Sequence, residues 1–192
     1  METETVVLGG GCFWCTEAVF LMLKGVQSVE PGYAGSSTGS PQAAPTYEEV
    51  NMGNTPYIEV IKIEYDPDQI AFEELLRVFF ATHDPTTPNR QGNDIGSQYQ
   101  SAIFYTTPRQ QEKSEHYIKV LNEHASPNPD ASVGARIITK VLPLGTPPAG
   151  GFYLAEDYHK NYYEKNKSAG YCQLVIAPKV EKVEQKFKNL LK

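Results

Sequence analysis

Residues Val6 to Glu17 read VVLGGGCFWCTE. A short apolar run, three glycines, a cysteine and the start of an apolar-periodic segment follow one another. Val19, Phe20 and Leu23 recur at helical spacing, which predicts a helix from Thr16 to about Leu23 that Gly25 can end. The order is therefore strand, glycine turn, cysteine, helix. A thiol at a helix start meets unpaired backbone N–H groups and the positive end of the helix dipole, which predicts an acidified, nucleophilic Cys12. The glycines permit a tight turn and close approach of a substrate to the backbone.

Cys15 completes a C-x-x-C pair, the pattern of dithiol–disulfide oxidoreductases. Other readings of the same stretch stay open. Cys12 and Cys15 also suit small core positions. A structural zinc site needs two further ligands, and only Cys172 and four scattered histidines are available. A cysteine hydrolase would take His83, His116, His124 or His159 as base, and no spacing selects one. Phe13 and Trp14 beside a thiol suit a substrate with an apolar, polarizable group such as a methyl on sulfur, for turnover or for binding alone.

Working outward, Tyr33 to Tyr47 reads as a long ordered loop, and Thr86 to Gln100 as a polar surface-lining one. Tyr57 to Tyr65 (YIEVIKIEY) is a strand stopped by Asp66-Pro67. Its alternation puts Tyr57, Glu59, Ile61, Ile63 and Tyr65 on one face, while the other carries Lys62 and Glu64. A carboxyl among apolar neighbours holds its proton towards neutrality, as a general acid must. Phe72, Leu75, Leu76, Phe79 and Phe80 mark a helix before Asp84-Pro85. Further expectations are a strand over Ser101 to Thr106, a helix from Arg109 to about His124, a strand over Ala135 to Leu142, a turn-rich connection from Pro143 to Gly151 and a short helix from Ala155 to about Lys167. The tail after Cys172 reads as extended, then as an amphipathic helix over about 178–192 striped by Val180, Val183, Phe187 and Leu190. Glutamates on its polar face argue against a membrane-surface role.

With 192 residues, 40% hydrophobic content and no interdomain linker, a single domain with a sizeable core is expected. A formal charge of −6 gives no footprint for nucleic acid, and no apolar run is long enough to span a membrane. The opening METET lacks the basic flank of a secretory signal, and three cysteines do not make a disulfide scaffold. A cytoplasmic setting is expected. Alternating strands and helices, some with short connections, predict a mixed, two-layer α/β domain.

A resemblance runs in order through these segments. Gly11 to Glu17 (GCFWCTE), Gly32 to Gly35 (GYAG), Pro45 to Val50 (PTYEEV), Glu59-Val60, Tyr65 to Pro67 and His83 to Thr86 (HDPT) resemble the A-type peptide methionine sulfoxide reductases. So do Asn89 to Tyr99 (NRQGNDIGSQY), Ala155 to His159 (AEDYH) and Gly170 to Cys172 (GYC). The resemblance implies an α+β two-layer sandwich with a mixed central sheet and a ferredoxin-like core with extensions. It implies Cys12 as nucleophile, Phe13 and Trp14 as walls for the substrate methyl, and Glu59 as the acid protonating the sulfoxide oxygen. Tyr47 and Tyr99 match hydroxyls that hold that oxygen, Asp94 a polar residue of the same pocket, and Cys172 a resolving cysteine. Cys15 stands where many members have glycine and is a possible second resolving thiol; the cysteine some members carry at Asn51 is absent, as are the B-type motifs. Reduction of the S epimer, free or in proteins, through a sulfenic acid on Cys12 is implied, with thioredoxin as reductant, no cofactor, and a monomer.

Overall fold

The computed structural model describes residues 3–35, 44–123, 135–147 and 151–192. Strand β1 (Glu4–Gly10), helix α1 (Phe13–Phe20), strand β2 (Val26–Gly35), helix α2 (Tyr47–Asn51), strand β3 (Tyr57–Tyr65) and helix α3 (Phe72–Thr82) come first. A hairpin of β4 (Arg90–Gln91) and β5 (Asp94–Ile95) precedes β6 (Ser101–Tyr105), α4 (Pro108–Glu123), β7 (Lys140–Pro143) and β8 (Gly151–Leu154). Helices α5 (Tyr162–Lys165) and α6 (Ala177–Lys186) follow. The main sheet runs β7-β6-β1-β3-β2-β8, with only the β6–β7 pair parallel. Its four middle strands and the two crossovers through α1 and α3 form a ferredoxin-like core. This is the mixed two-layer sandwich expected from the chain's pattern.

The two faces of the sheet follow the period of two. Val6, Leu8, Tyr57, Ile61, Ile63 and Tyr65 join the core beneath α1 and α3. Val7, Ile58, Val60, Ala102 and Phe104 turn the other way and are covered by Leu142, Leu144 and Phe152. Helix α3 buries Phe72, Leu75, Leu76, Phe79 and Phe80 against the first face, all at 5% exposure or less. Phe79 touches both Phe80 and His83 and has no exposed surface. Phe79→Ala is expected to cost about 3–5 kcal/mol in urea unfolding, and a loss under about 1 kcal/mol would contradict this packing.

Helix α1 starts three residues earlier than the apolar spacing suggests and ends at Phe20. It is buried almost all round, because the sheet covers one side and the C-terminal segment the other. Strands β2 and β8 were not legible as strands. β2 carries Pro31, Gly32 and Gly35, residues that ordinarily argue against one. Its register explains them: Pro31 lies just beyond the β8 ladder, and a Cβ on Gly32 would sit 2.3 Å from the Tyr153 carbonyl oxygen.

The strand expected from Ala135 is confined to Lys140–Pro143, since the Ile137 and Ile138 amides donate to Asn122 and to the Pro85 carbonyl instead. The helix expected from Ala155 is broken into a turn at Asp157–His159 and α5 by Asn161, whose φ is 54°. The tail is not extended after Cys172. A π-helical segment, Cys172–Ile176, runs straight into α6, with Pro178 in the first turn where its missing N–H is harmless. Packing of Cys172 and Ile176 on α1 overrides the strand-like composition. α6 stops at Lys186, and a 3-10 turn at Lys188–Leu190 leads to a bridge between Leu191 and Leu23. Residues 36–43, His124 and 148–150, parts of the expected loops and helix, lie outside the described residues. Among the described residues no helix is long and apolar enough to cross a membrane.

Candidate active site

Cys12 stands at the junction of β1 and α1, where Gly11 makes the turn with a φ of 86°. A Cβ on Gly11 would lie 2.4 Å from the Gln91 side chain, so glycine is required on both counts. Glu59 points from the middle of β3 towards this turn, and its Oε2 accepts the Phe13 amide at 3.0 Å. Burial pushes the Glu59 carboxyl up to about 8, against the opposing pull of that amide; the charges of Asp94 and Cys15 add to the rise. The acid expected on this strand face is therefore protonated at neutral pH. A carboxylic acid infrared band that persists to about pH 8 and is missing in Glu59→Gln is the expected signature; ionisation near pH 4.5 would refute it.

The expected acidification of Cys12 is reversed. The Phe13 amide at the helix start is taken by Glu59, and burial pushes the thiol up, helped by Cys15 and by the Glu59 carboxylate. The neighbouring Cys15 is drawn down to about 7 by its hydrogen bond with Cys12. All three cysteines are free and buried, and they share one cluster with Ala18 and Ile176. Cys172 has no exposed surface and lies within the field of Cys15.

The aromatic pair divides its work. Phe13 is buried against Tyr33 and His159, whereas Trp14 is half-buried and stacks flat on Tyr162 at 3.6 Å. Glu17 creates that platform by accepting the Asn161 and Tyr162 amides at 2.8 and 3.3 Å, which ties α5 to α1. The Trp14 indole N–H donates to His159 Nδ1 at 3.0 Å, so His159 is an acceptor on that side, and burial lowers its basicity.

Tyr47 opens α2, a helix set by a capping box between Thr46 and Glu49. Its amide donates to Glu156 Oε1 at 2.9 Å, and Tyr33 donates to Glu156 Oε2 at 2.8 Å. Tyr99 closes a 3-10 turn anchored to the end of α2 through Ser97 on the Gly53 carbonyl and Gln98 on the Asn51 carbonyl. Asp94 belongs to the β4–β5 hairpin, held by reciprocal Gln91–Asp84 hydrogen bonds. Burial, then the Glu59 charge, pushes the Tyr47 hydroxyl up to about 12 and raises Tyr99 further, so both are donors at neutral pH.

Cys12, Phe13, Trp14, Tyr47, Glu59, Asp94, Tyr99 and Tyr171 line one cavity of about 110 Å³. Every residue singled out in the sequence lies there except Cys15 and Cys172, which sit behind it in the thiol cluster. Tyr171 and Glu156 were missed as site residues, although GYC and AEDYH carried them, and His159, weighed in the sequence as a hydrolase base, holds Trp14 instead. Tyr171 donates to Asp94 at 2.8 Å and lies 3.8 Å from Cys15 Sγ. No histidine lines the cavity. His83 is used by the Phe79 carbonyl and Ser101, and His159 by Trp14, so the hydrolase reading finds no base among the described residues.

Comparison with known proteins agrees with this geometry. The chain matches the family described as "Peptide methionine sulfoxide reductase" over residues 4–191. It is 48% identical to the peptide methionine sulfoxide reductase MsrA of Acinetobacter baumannii (strain AYE), covering 98% of this chain and 99% of that one. To the MsrA of Sulfolobus acidocaldarius it is 47% identical, covering 96% and 95%. Among solved structures, reduced Mxr1 of Saccharomyces cerevisiae superposes with a TM-score of 0.72 at 30% identity, covering 89% and 90%. Methionine sulfoxide reductase A of Corynebacterium diphtheriae gives 0.72 at 38%, covering 87% and 76%. The chain belongs to the A-type peptide methionine sulfoxide reductases, and it reduces methionine sulfoxide by cysteine chemistry.

Proposed function

We propose that this chain reduces the S epimer of methionine sulfoxide, protein-bound or free, with Cys12 as nucleophile and Glu59 as general acid. The observation that carries the reading is a buried carboxyl that accepts the backbone amide next to the thiol, with burial pushing it up to about 8. The substrate methyl packs on Phe13 and Trp14, and the sulfoxide oxygen faces Glu59, Tyr47 and Tyr99. Tyr47 and Tyr99 are preorganised donors for the charge that grows on that oxygen. The Cys15 thiol, in the same buried cluster and drawn down to about 7, offers a place for the Cys12 proton to go.

The Cys12 thiolate then attacks sulfur while Glu59 delivers its proton to oxygen. Transfer of the hydroxyl to Cys12 releases methionine and leaves a sulfenic acid and a Glu59 carboxylate. The sulfenic acid condenses with an internal thiol to a disulfide and water. Cys15, one helical turn from Cys12 in the same buried cluster, reacts first in this reading, and Cys172 of that cluster takes the disulfide onward by exchange. Reopening the final disulfide takes a dithiol; thioredoxin is the reductant this reading expects, acting on a single catalytic domain in the cytoplasm as part of oxidative-stress repair. The test is an epimer-resolved assay with dithiothreitol: the S epimer is consumed and the R epimer is not. Equal consumption of both would refute the assignment.

A further inference from the structure

A second, larger recess of about 400 Å³ lies between the β4–β5 hairpin and the segment running from Tyr171 into α6. Asp94 and Tyr171 line both it and the catalytic cavity, so their hydrogen bond is the partition between the two. The catalytic cavity is sized for the end of one side chain; the main chain of a polypeptide substrate has to lie outside it. Leu174 is 80% exposed, the most exposed large apolar side chain among the described residues, and it shares the wall of the recess with Val175 and the exposed Pro178. Apolar groups left out of the core at one place mark a contact surface. Lys179 lies in the same wall and makes no ion pair among the described residues, in a chain of net charge −6.

We infer that this groove receives the residues of an oxidised polypeptide that adjoin the methionine sulfoxide, favouring an apolar side chain against Leu174 and Pro178 and a carboxylate towards Lys179. The inference rests on the catalytic reading of the adjoining cavity. Continuity with that cavity, rather than the apolar surface alone, identifies the occupant: a side chain reaching Cys12 past Tyr171 carries its flanking backbone along the recess. The surface suits an extended, locally unfolded segment, which presents its apolar side chains.

Two heptapeptides carrying one methionine S-sulfoxide, one flanked by Leu and Glu and the other by Ser and Lys, are compared with N-acetylmethionine sulfoxide amide under dithiothreitol. The Leu/Glu peptide is expected to exceed the other about fivefold in kcat/KM, through KM, since partial burial of one or two apolar side chains is worth about 1 kcal/mol. Leu174→Ser combined with Pro178→Ser should bring the two peptides together and leave the small substrate within about twofold. Equal use of the peptides by the unchanged enzyme, or equal loss for peptide and small substrate in the double variant, overturns the inference. So does a double-variant defect confined to thioredoxin-supported turnover, which would assign the groove to the reductant. Binding of labelled peptides to Cys12→Ser, read by fluorescence anisotropy, reports on the groove without turnover. Loss of catalysis on the small substrate by the unchanged enzyme would instead count against the catalytic reading.

Discussion

Glu59→Gln is expected to slow single-turnover reduction of methionine S-sulfoxide by about 100-fold or more, the span usual for a lost general acid. Glutamine keeps the shape and an oxygen to accept the Phe13 amide, so the turn that presents Cys12 persists. What disappears is the proton that the sulfoxide oxygen takes as its bond to sulfur breaks. Substrate affinity should change little. Stability separates a chemical from a structural defect. The folded Glu59 carboxyl titrates at about 8, above its ordinary 4.5, so the folded state binds this proton more tightly than the unfolded one. The wild-type chain therefore loses stability as pH rises from about 4.5 through about 8, and Glu59→Gln does not. The variant should melt no lower than wild type at pH 9. Near-normal single-turnover rates in a folded variant would remove Glu59 from the proton-donor role.

The second large effect concerns the thiols. Cys172→Ser is expected to retain one stoichiometric reduction and to lose most thioredoxin-supported turnover, about tenfold or more, because exchange then stops at the inner pair. Cys172 has no exposed surface, and it lies at the start of a π-helical segment, a geometry less stable than the α-helix that follows it. Exchange from Cys15 to Cys172 stays within their shared buried cluster, and access of the reductant to the resulting disulfide is expected to need this segment to move. Cys15→Ser should leave the first reduction intact and let a sulfenic acid accumulate on Cys12, detectable by dimedone trapping. Full thioredoxin turnover in Cys172→Ser would assign recycling to the Cys12–Cys15 disulfide. Full turnover in Cys15→Ser would let Cys172 reach Cys12 directly.

Much of the cavity's membership was open to reading in one dimension. Period-two alternation in YIEVIKIEY placed Glu59 among apolar neighbours, and in the sheet that face lies beneath the helices with Glu59 at 2% exposure. The GGGC turn placed Cys12 at a strand-to-helix junction. Such features are local, set by side-chain period and glycine chemistry within a few residues, and they survive folding unchanged. They also sufficed for the two-layer class, since α3 and β3 announce themselves by their own spacing.

Other features depend on partners distant in sequence. β2 looks unlike a strand until β3 and β8 pair with it, and Gly32 has meaning only against Tyr153. The extended reading of the tail failed because Cys172 and Ile176 pack on α1, some 160 residues away. The chain by itself determined which residues meet at the cavity: a thiol at a turn, an acid on an apolar strand face, hydroxyls on anchored loops. Only the tertiary structure decided their protonation and surroundings. Burial withholds water from Cys12 and Glu59 and raises both, whereas the helix start alone would have lowered the thiol. Packing gathers Cys12, Cys15 and Cys172 into one buried cluster, and charge and access are properties of the space around a group.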